Sequence, residues 1–136
     1  MQLVPAEAQH AYAMEELEAE LFEENSFNAT MLRNELRQGY GYVVVKTTGE
    51  VVGYAVVRYN DGVTDILRLG VTRLHQGAGI GRWLLQTIVV NALAPVMLTV
   101  HKDNSRALAL YKSFDFRIVG DLNGTSWVML RESSAV

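Results

Sequence analysis

Gly77, Gly79 and Gly81 stand on alternate positions in "RLHQGAGIGRWLLQT", directly ahead of a run with the apolar spacing of a helix. The N-terminus of a helix leaves backbone N–H groups without partners and carries a partial positive charge, so it attracts an anion that can come close. Glycine permits that approach. It also admits positive φ, which lets successive amides converge on one cluster of phosphate oxygens. Arg82, at the helix start, adds a formal charge within reach of the same anion. The pattern therefore reads as a phosphate cradle and not as a flexible connection. Two nucleotide loops fail on spacing: a dinucleotide fingerprint counted from Gly77 and Gly79 needs glycine where the chain has Arg82, and no Gly-Lys-Ser/Thr exists for a Walker loop.

Other chemistry is excluded more simply. The chain has no cysteine, which removes disulfides, thiolate metal sites and a cysteine acyl-enzyme. His10, His75 and His101 form no i, i+4 pair, so no metal site is expected. A net charge of −3 offers no basic stripe for nucleic acid, and no apolar run approaches the roughly 18 residues a membrane span needs. The N-terminus lacks a basic start followed by an apolar stretch, so the expected location is cytoplasmic. Glu15, Glu16, Glu18, Glu20, Glu23 and Glu24 read mostly as a solvated helix face.

The elements that must hold the cradle follow from periodicity. With 136 residues, 49% of them hydrophobic, the chain is expected to form one domain over residues 1–136. Residues 6–24 carry Ala13, Leu17, Leu21 and Phe22 at helical spacing, and Thr30 to Gln38 reads as a second, short helix ending at Gly39. "YVVVKT" and "VVGYAVVRY" flank the turn "TGE" as a hairpin, and "NDG" leads into a strand from Asp65 to Val71. Trp83, Leu84, Leu85, Ile88 and Ala92 give a helix that must end before Pro95. "VMLTVH" is a buried strand, and Asp103, Asn104 and Ser105 can cap a helix whose face includes Ala107, Leu108, Tyr111 and Phe114. "RIVG" and "SWVML" close the chain as a hairpin, with "RESSAV" as a loose tail. The order predicts an α/β domain around a mixed, mostly antiparallel central sheet flanked by helices, with ligands at the strand-to-helix steps.

"LGVTRLHQGAGIGRWLL" resembles the acetyl-CoA pyrophosphate loop of the GNAT superfamily of N-acetyltransferases: Gln76, Gly79 and Gly81 occupy the places of its Gln/Arg, Gly and Gly/Ala. "LTVHKDNSRALALYKSFDF" resembles the family's second signature, in which an Asn opens a helix and a Tyr follows seven residues later, here Asn104 and Tyr111. In its segment "LFEENSFNATMLRNEL" the chain is similar to the branch that acetylates ribosomal-protein alanine N-termini, with Phe27 where tryptophan is common.

The resemblance implies the GNAT (acyl-CoA N-acyltransferase) fold and an acetyl-CoA-dependent N-acetyltransferase. By it, Leu69, Gly70 and Val71 serve the pantetheine arm. Gln76, Gly77, Ala78, Gly79, Ile80, Gly81 and Arg82 surround the pyrophosphate, and Asn104 holds the cosubstrate. Tyr111 stands by the thioester sulfur as the acid, a role its ordinary pKa of about 10 suits. Thr99 occupies the place of the carboxylate base in the ribosomal-protein branch, and cannot serve as one. Asp65 matches a position where other members carry a catalytic Glu, and His101 and Glu35 are further options. The implied acceptor is a primary amine, a protein N-terminus or a small molecule such as a polyamine, amino acid or antibiotic. A non-catalytic CoA-binding module and an interaction domain with a merely structural glycine loop are the rival classes, and a homodimer is left open as an assembly.

Overall fold

A computed structural model of the protein describes residues 1–92 and 95–132, so the tail segment 133–136 lies outside the described residues. Its centre is a seven-stranded sheet. In chain order the strands are β1 (Gln2–Pro5), β2 (Tyr40–Val45), β3 (Val51–Asn60), β4 (Val63–Val71), β5 (Val96–His101), β6 (Arg117–Leu122) and β7 (Ser126–Arg131), arranged in space as β1-β2-β3-β4-β5-β7-β6. Every neighbouring pair is antiparallel except β4 and β5. Helices α1 (Ala11–Phe22), α2 (Ala29–Gln38), α3 (Ile80–Asn91) and α4 (Ser105–Ser113) complete the described fold, and none is long and apolar enough to cross a membrane.

Local chemistry explains most boundaries. Asn28 caps α2 by accepting from the Met31 N–H at 2.9 Å, and Gly39 ends it. The β3–β4 hairpin turns through Asp61 and Gly62, both at positive φ, as its tight right-handed twist requires. Two boundaries differ from the sequence reading. The N-terminal segment forms an edge strand, with Leu3 opposite Val44, and α1 starts only at Ala11 after a 3₁₀ turn at Ala8–His10. Strand β4 begins at Val63, two residues earlier than expected, because the turn delivers the chain directly into pairing with Asn60.

The sheet separates two cores. On one face Ala55, Val57 and Ile66 pack with Leu84, Leu85 and Ile88 of α3 and Tyr111 of α4. On the other, Val43, Tyr54 and Val56 pack with Met14 and Leu17 of α1 and Leu32 of α2. Strand alternation decides which residue serves which face, and β4 breaks it once: Val57 faces Ile66 and Val56 faces Arg68, leaving Leu67 as the extra residue of a β-bulge.

Candidate active site

Parallel pairing between β4 and β5 is confined to Thr64 with Val96 and Asp65 with Met97. Beyond those pairs the strands part, and a cleft of about 700 Å³ opens between Leu69–Val71 on one side and Leu98–His101 on the other. Leu69 and Val71 stand opposite Ala55 and Gly53 of β3, but it is the next residue, Thr72, whose N–H donates to the Val52 carbonyl at 2.9 Å, so by the alternation of an antiparallel ladder the backbone groups of Leu69 and Val71 turn toward β5, where they have no strand partner. Gly70 has a second use: a Cβ there would lie 2.7 Å from Leu21 Cδ1 and 2.9 Å from Tyr54 Cε1, so only glycine lets Tyr54 cross β4 toward α1.

The glycine loop lies at one end of this cleft. Gly77 and Gly79 adopt φ of +85° and +87°, and Gly79 is the N-cap of α3 with no side chain capping its first-turn amides. Nothing lies within 4 Å of where a Gly79 Cβ would be. Gln76 is held by donating from Nε2 to the Val71 carbonyl at 3.0 Å. Ile80 is buried, anchoring α3 in the core, and Gly81 lies against Val71 and Leu110. Ala78 is not among the lining residues. Arg82 lines the cleft but leans toward α4, its Nη2 3.3 Å from Ser113 Oγ and its guanidinium 5.2 Å from the Phe114 ring. Uncapped amides, left-handed glycines and arginines at Arg73, Arg82 and Arg106 together suit a polyanionic group such as a diphosphate.

Arg106 is a residue the sequence reading missed. Its Nη1 stands 3.5 Å from Gln76 Oε1, and it lines the cleft from the first turn of α4. A signal existed: a cation at a helix N-terminus opposes the helix dipole and is usually avoided there. Asn104 does cap α4, its Oδ1 accepting from the Ala107 N–H at 3.1 Å, which leaves its amide N–H₂ for a ligand.

Tyr111 lines the cleft from α4, buried, with its ring 5.9 Å from that of Phe116. Burial pushes its phenol up to about 12. Thr99 and His101 line the opposite wall on β5, with His101 Nδ1 accepting from the Asp103 N–H at 3.2 Å.

The structure does not bring Asp65 into this group. Counting by twos from Leu69 would put it on the α3 face with Leu69 and Val71, but the bulge at Leu67 turns it to the α1 face, opposite Arg58 in the β3–β4 ladder and outside the cleft lining. Desolvation raises its pKa and Arg58 partly offsets the rise. Glu35 is similarly committed, accepting from Arg58 Nη2 away from the cleft.

The helix-face reading of the glutamates also needs correction. Glu18 is fully buried, accepting from the Tyr54 hydroxyl and from the Phe27 N–H at 2.8 Å. Glu15 accepts from the Ala29 N–H at 2.7 Å, and Glu20 accepts from Thr72 Oγ1 and, at 2.8 Å, from the Arg73 N–H. These carboxylates satisfy donors in the segments that α1 packs against, a use that helical periodicity cannot reveal.

Comparison with known proteins gives a consistent picture. Residues 7–116 match the model of the acetyltransferase (GNAT) family. The N-alpha-acetyltransferase RimI of Mycobacterium tuberculosis is 37% identical over 112 residues, covering 77% of this chain and 71% of that protein. In fold, the chain is similar to the ribosomal-protein-S18-alanine N-acetyltransferase of Escherichia coli, with a TM-score of 0.86 at 16% identity over 99% of this chain and 95% of that one. It is also similar to Arabidopsis thaliana NAA60 solved with acetyl-CoA, with a TM-score of 0.81 at 18% identity over 98% and 99% of the two chains.

Proposed function

The chain belongs to the GNAT family of acetyltransferases, and from that premise we propose that it acetylates the α-amine of a protein N-terminus by direct attack, with Tyr111 as general acid. Transfer of acetyl from acetyl-CoA to an amine is the activity of an N-acetyltransferase of this family. The similarity to an N-alpha-acetyltransferase supports the α-amine as acceptor. The observation that carries the mechanism is the parting of β4 from β5 beside left-handed glycines at an uncapped helix start.

Acetyl-CoA supplies an acyl group activated as a thioester. Amides of residues 77–82, with Arg73 and Arg106 close by, hold its diphosphate, and the unpaired edge of Leu69–Val71 takes the amides of its pantetheine arm. Asn104 adds its side-chain amide at the start of α4. Tyr111, with its phenol pushed up to about 12, is protonated throughout the physiological range and donates to the departing thiolate.

The base is supplied differently. Thr99 cannot act as one, Asp65 and Glu35 face away, and His101 has its Nδ1 committed to the Asp103 amide. The acceptor therefore binds in its neutral form; as its nitrogen bonds to the acetyl carbon and the C–S bond breaks, the nitrogen gives up one proton to solvent, which returns to Tyr111 the proton it delivers to the thiolate. At pH 7 an α-amine of pKa about 8 is roughly one-tenth neutral, whereas a lysine-type amine of pKa about 10.4 is neutral in fewer than about one molecule in a thousand. A site without a carboxylate base thus favours α-amines by some two orders of magnitude before any contact is made.

Release of free thiol from acetyl-CoA over peptides with free N-termini tests the reading. Turnover that falls about 10²-fold in Tyr111→Phe supports it. Thermal stabilisation by CoA without turnover on any peptide or small amine would instead make the chain a binding module, and turnover confined to small amines would move the acceptor class.

A further inference from the structure

The end of the cleft opposite the glycine loop is lined by Leu21, Phe22, Leu67 and Arg68. With the diphosphate held at α3, this is the end from which an acceptor amine must arrive. Its construction is unusual. Glu18, wholly buried in α1, receives the Tyr54 hydroxyl, the Phe27 N–H and an ion pair from Arg68 Nε at 3.2 Å. Arg68 in turn donates from Nη2 to the Asn25 carbonyl, and its guanidinium lies over the rings of Phe22, at 4.4 Å from the centroid, and Phe27, at 4.2 Å. Two backbone groups of the α1–α2 segment, the Asn25 carbonyl and the Phe27 N–H, are therefore bound to one ion pair.

A buried ion pair is poor evidence for stability, because desolvation cancels much of its attraction. Its better-attested value is in fixing one arrangement among several. Here the arrangement fixed is a segment that turns through a positive φ at Glu23 and whose first aromatic residue, Phe22, forms part of the cleft wall. Simple alternation from Leu69 and Val71, which pack on the α3 side, places Arg68 on the α1 face of the sheet.

We infer that Arg68, clamped by Glu18 and the Phe22 and Phe27 rings, is a positioning residue that sets the acceptor-binding wall by pinning the α1–α2 segment. The inference rests on the proposed acceptor class. Arg68 acts through that wall and has no part in coenzyme binding or proton transfer.

The test is a split between the two Michaelis constants in steady-state assays, with the melting temperature measured alongside. Arg68→Lys keeps the charge facing Glu18 but loses the planar stack and the donor to Asn25, so the KM for a peptide acceptor should rise about tenfold or more. The KM for acetyl-CoA should stay within about twofold. Phe27→Leu keeps the ion pair and the backbone donor to Glu18 while removing one ring, so it remains informative should the arginine variant fail to fold; it should raise only the acceptor KM, by about threefold to tenfold. A peptide KM unchanged in folded variants, or both KM values moving together with lost stability, would overturn the pinning role while leaving the acetyltransferase reading intact. Absence of turnover in the unsubstituted protein would overturn that reading and this inference with it.

Discussion

The two ends of the cleft are built from different materials. At the proposed coenzyme end the site consists of backbone amides, displayed by Gly77 and Gly79 at positive φ, and the contributing residues are nearly consecutive. At the proposed acceptor end it consists of side chains gathered from afar: Glu18 and Phe22 from α1, Phe27 from the following segment, Tyr54 from β3 and Arg68 from β4. A backbone site depends on local conformation, so one short segment can encode it. A site of clamped side chains exists only once the sheet has brought its parts together, and it can be altered without disturbing the cradle.

Substitution should separate the two ends, and the largest effect is expected where they meet. Tyr111→Phe removes the proton donor lining the cleft, so kcat should drop about 10²-fold while calorimetry shows CoA binding retained. At the coenzyme end, Gly79→Ala imposes a side chain on φ of +87°, a strain of about 1–2 kcal/mol. The dissociation constant for CoA should increase about tenfold, whereas an acceptor-end variant such as Arg68→Lys should leave it unchanged.

The pH profile sharpens the comparison from the acceptor side. With no carboxylate among the described residues that line the cleft, kcat/KM for a peptide should climb about tenfold per pH unit up to the α-amine pKa of about 8 and then level off. Tyr111 must be protonated to act and its phenol is pushed up to about 12, so activity lost through that group should appear only as pH rises toward that value. A break near pH 4 or 6 in place of the amine's own would reveal a carboxylate or histidine base.

The smallest effect is expected at Asp65. Because it faces Arg58 across the sheet and not the cleft, Asp65→Asn should change kcat/KM by less than about twofold. A larger loss would return it to the chemistry.

Much of the fold was legible because it is periodic. The helices around Leu17 and Leu84, the hairpins turning at Gly49 and Gly62, and the strand-to-helix steps before Ile80 and Ser105 all follow from spacing and turn residues within short windows. The edge strand Gln2–Pro5 was not legible, since its only credential is a partner about forty residues away, as in the pairing of Leu3 with Val44. Arg106 was overlooked because its contact to Gln76 crosses from α4 to the glycine loop.

By itself the sequence determined the left-handed glycine loop ahead of α3, the Asn104 cap and the placing of Tyr111 seven residues later on the same helix, since each depends on φ, on a hydrogen bond two or three residues long, or on helical pitch. Only the tertiary structure decided that Glu18 goes inside while Glu24 stays in water, that Asp65 stays out of the cleft lining, and that Arg68 reaches Glu18 of α1. The reason is that these outcomes depend on distant partners: one extra residue at Leu67 reverses the face that Asp65 serves, and the packing of α1 on the sheet brings Tyr54 and Arg68 to Glu18 and chooses which carboxylate is paired.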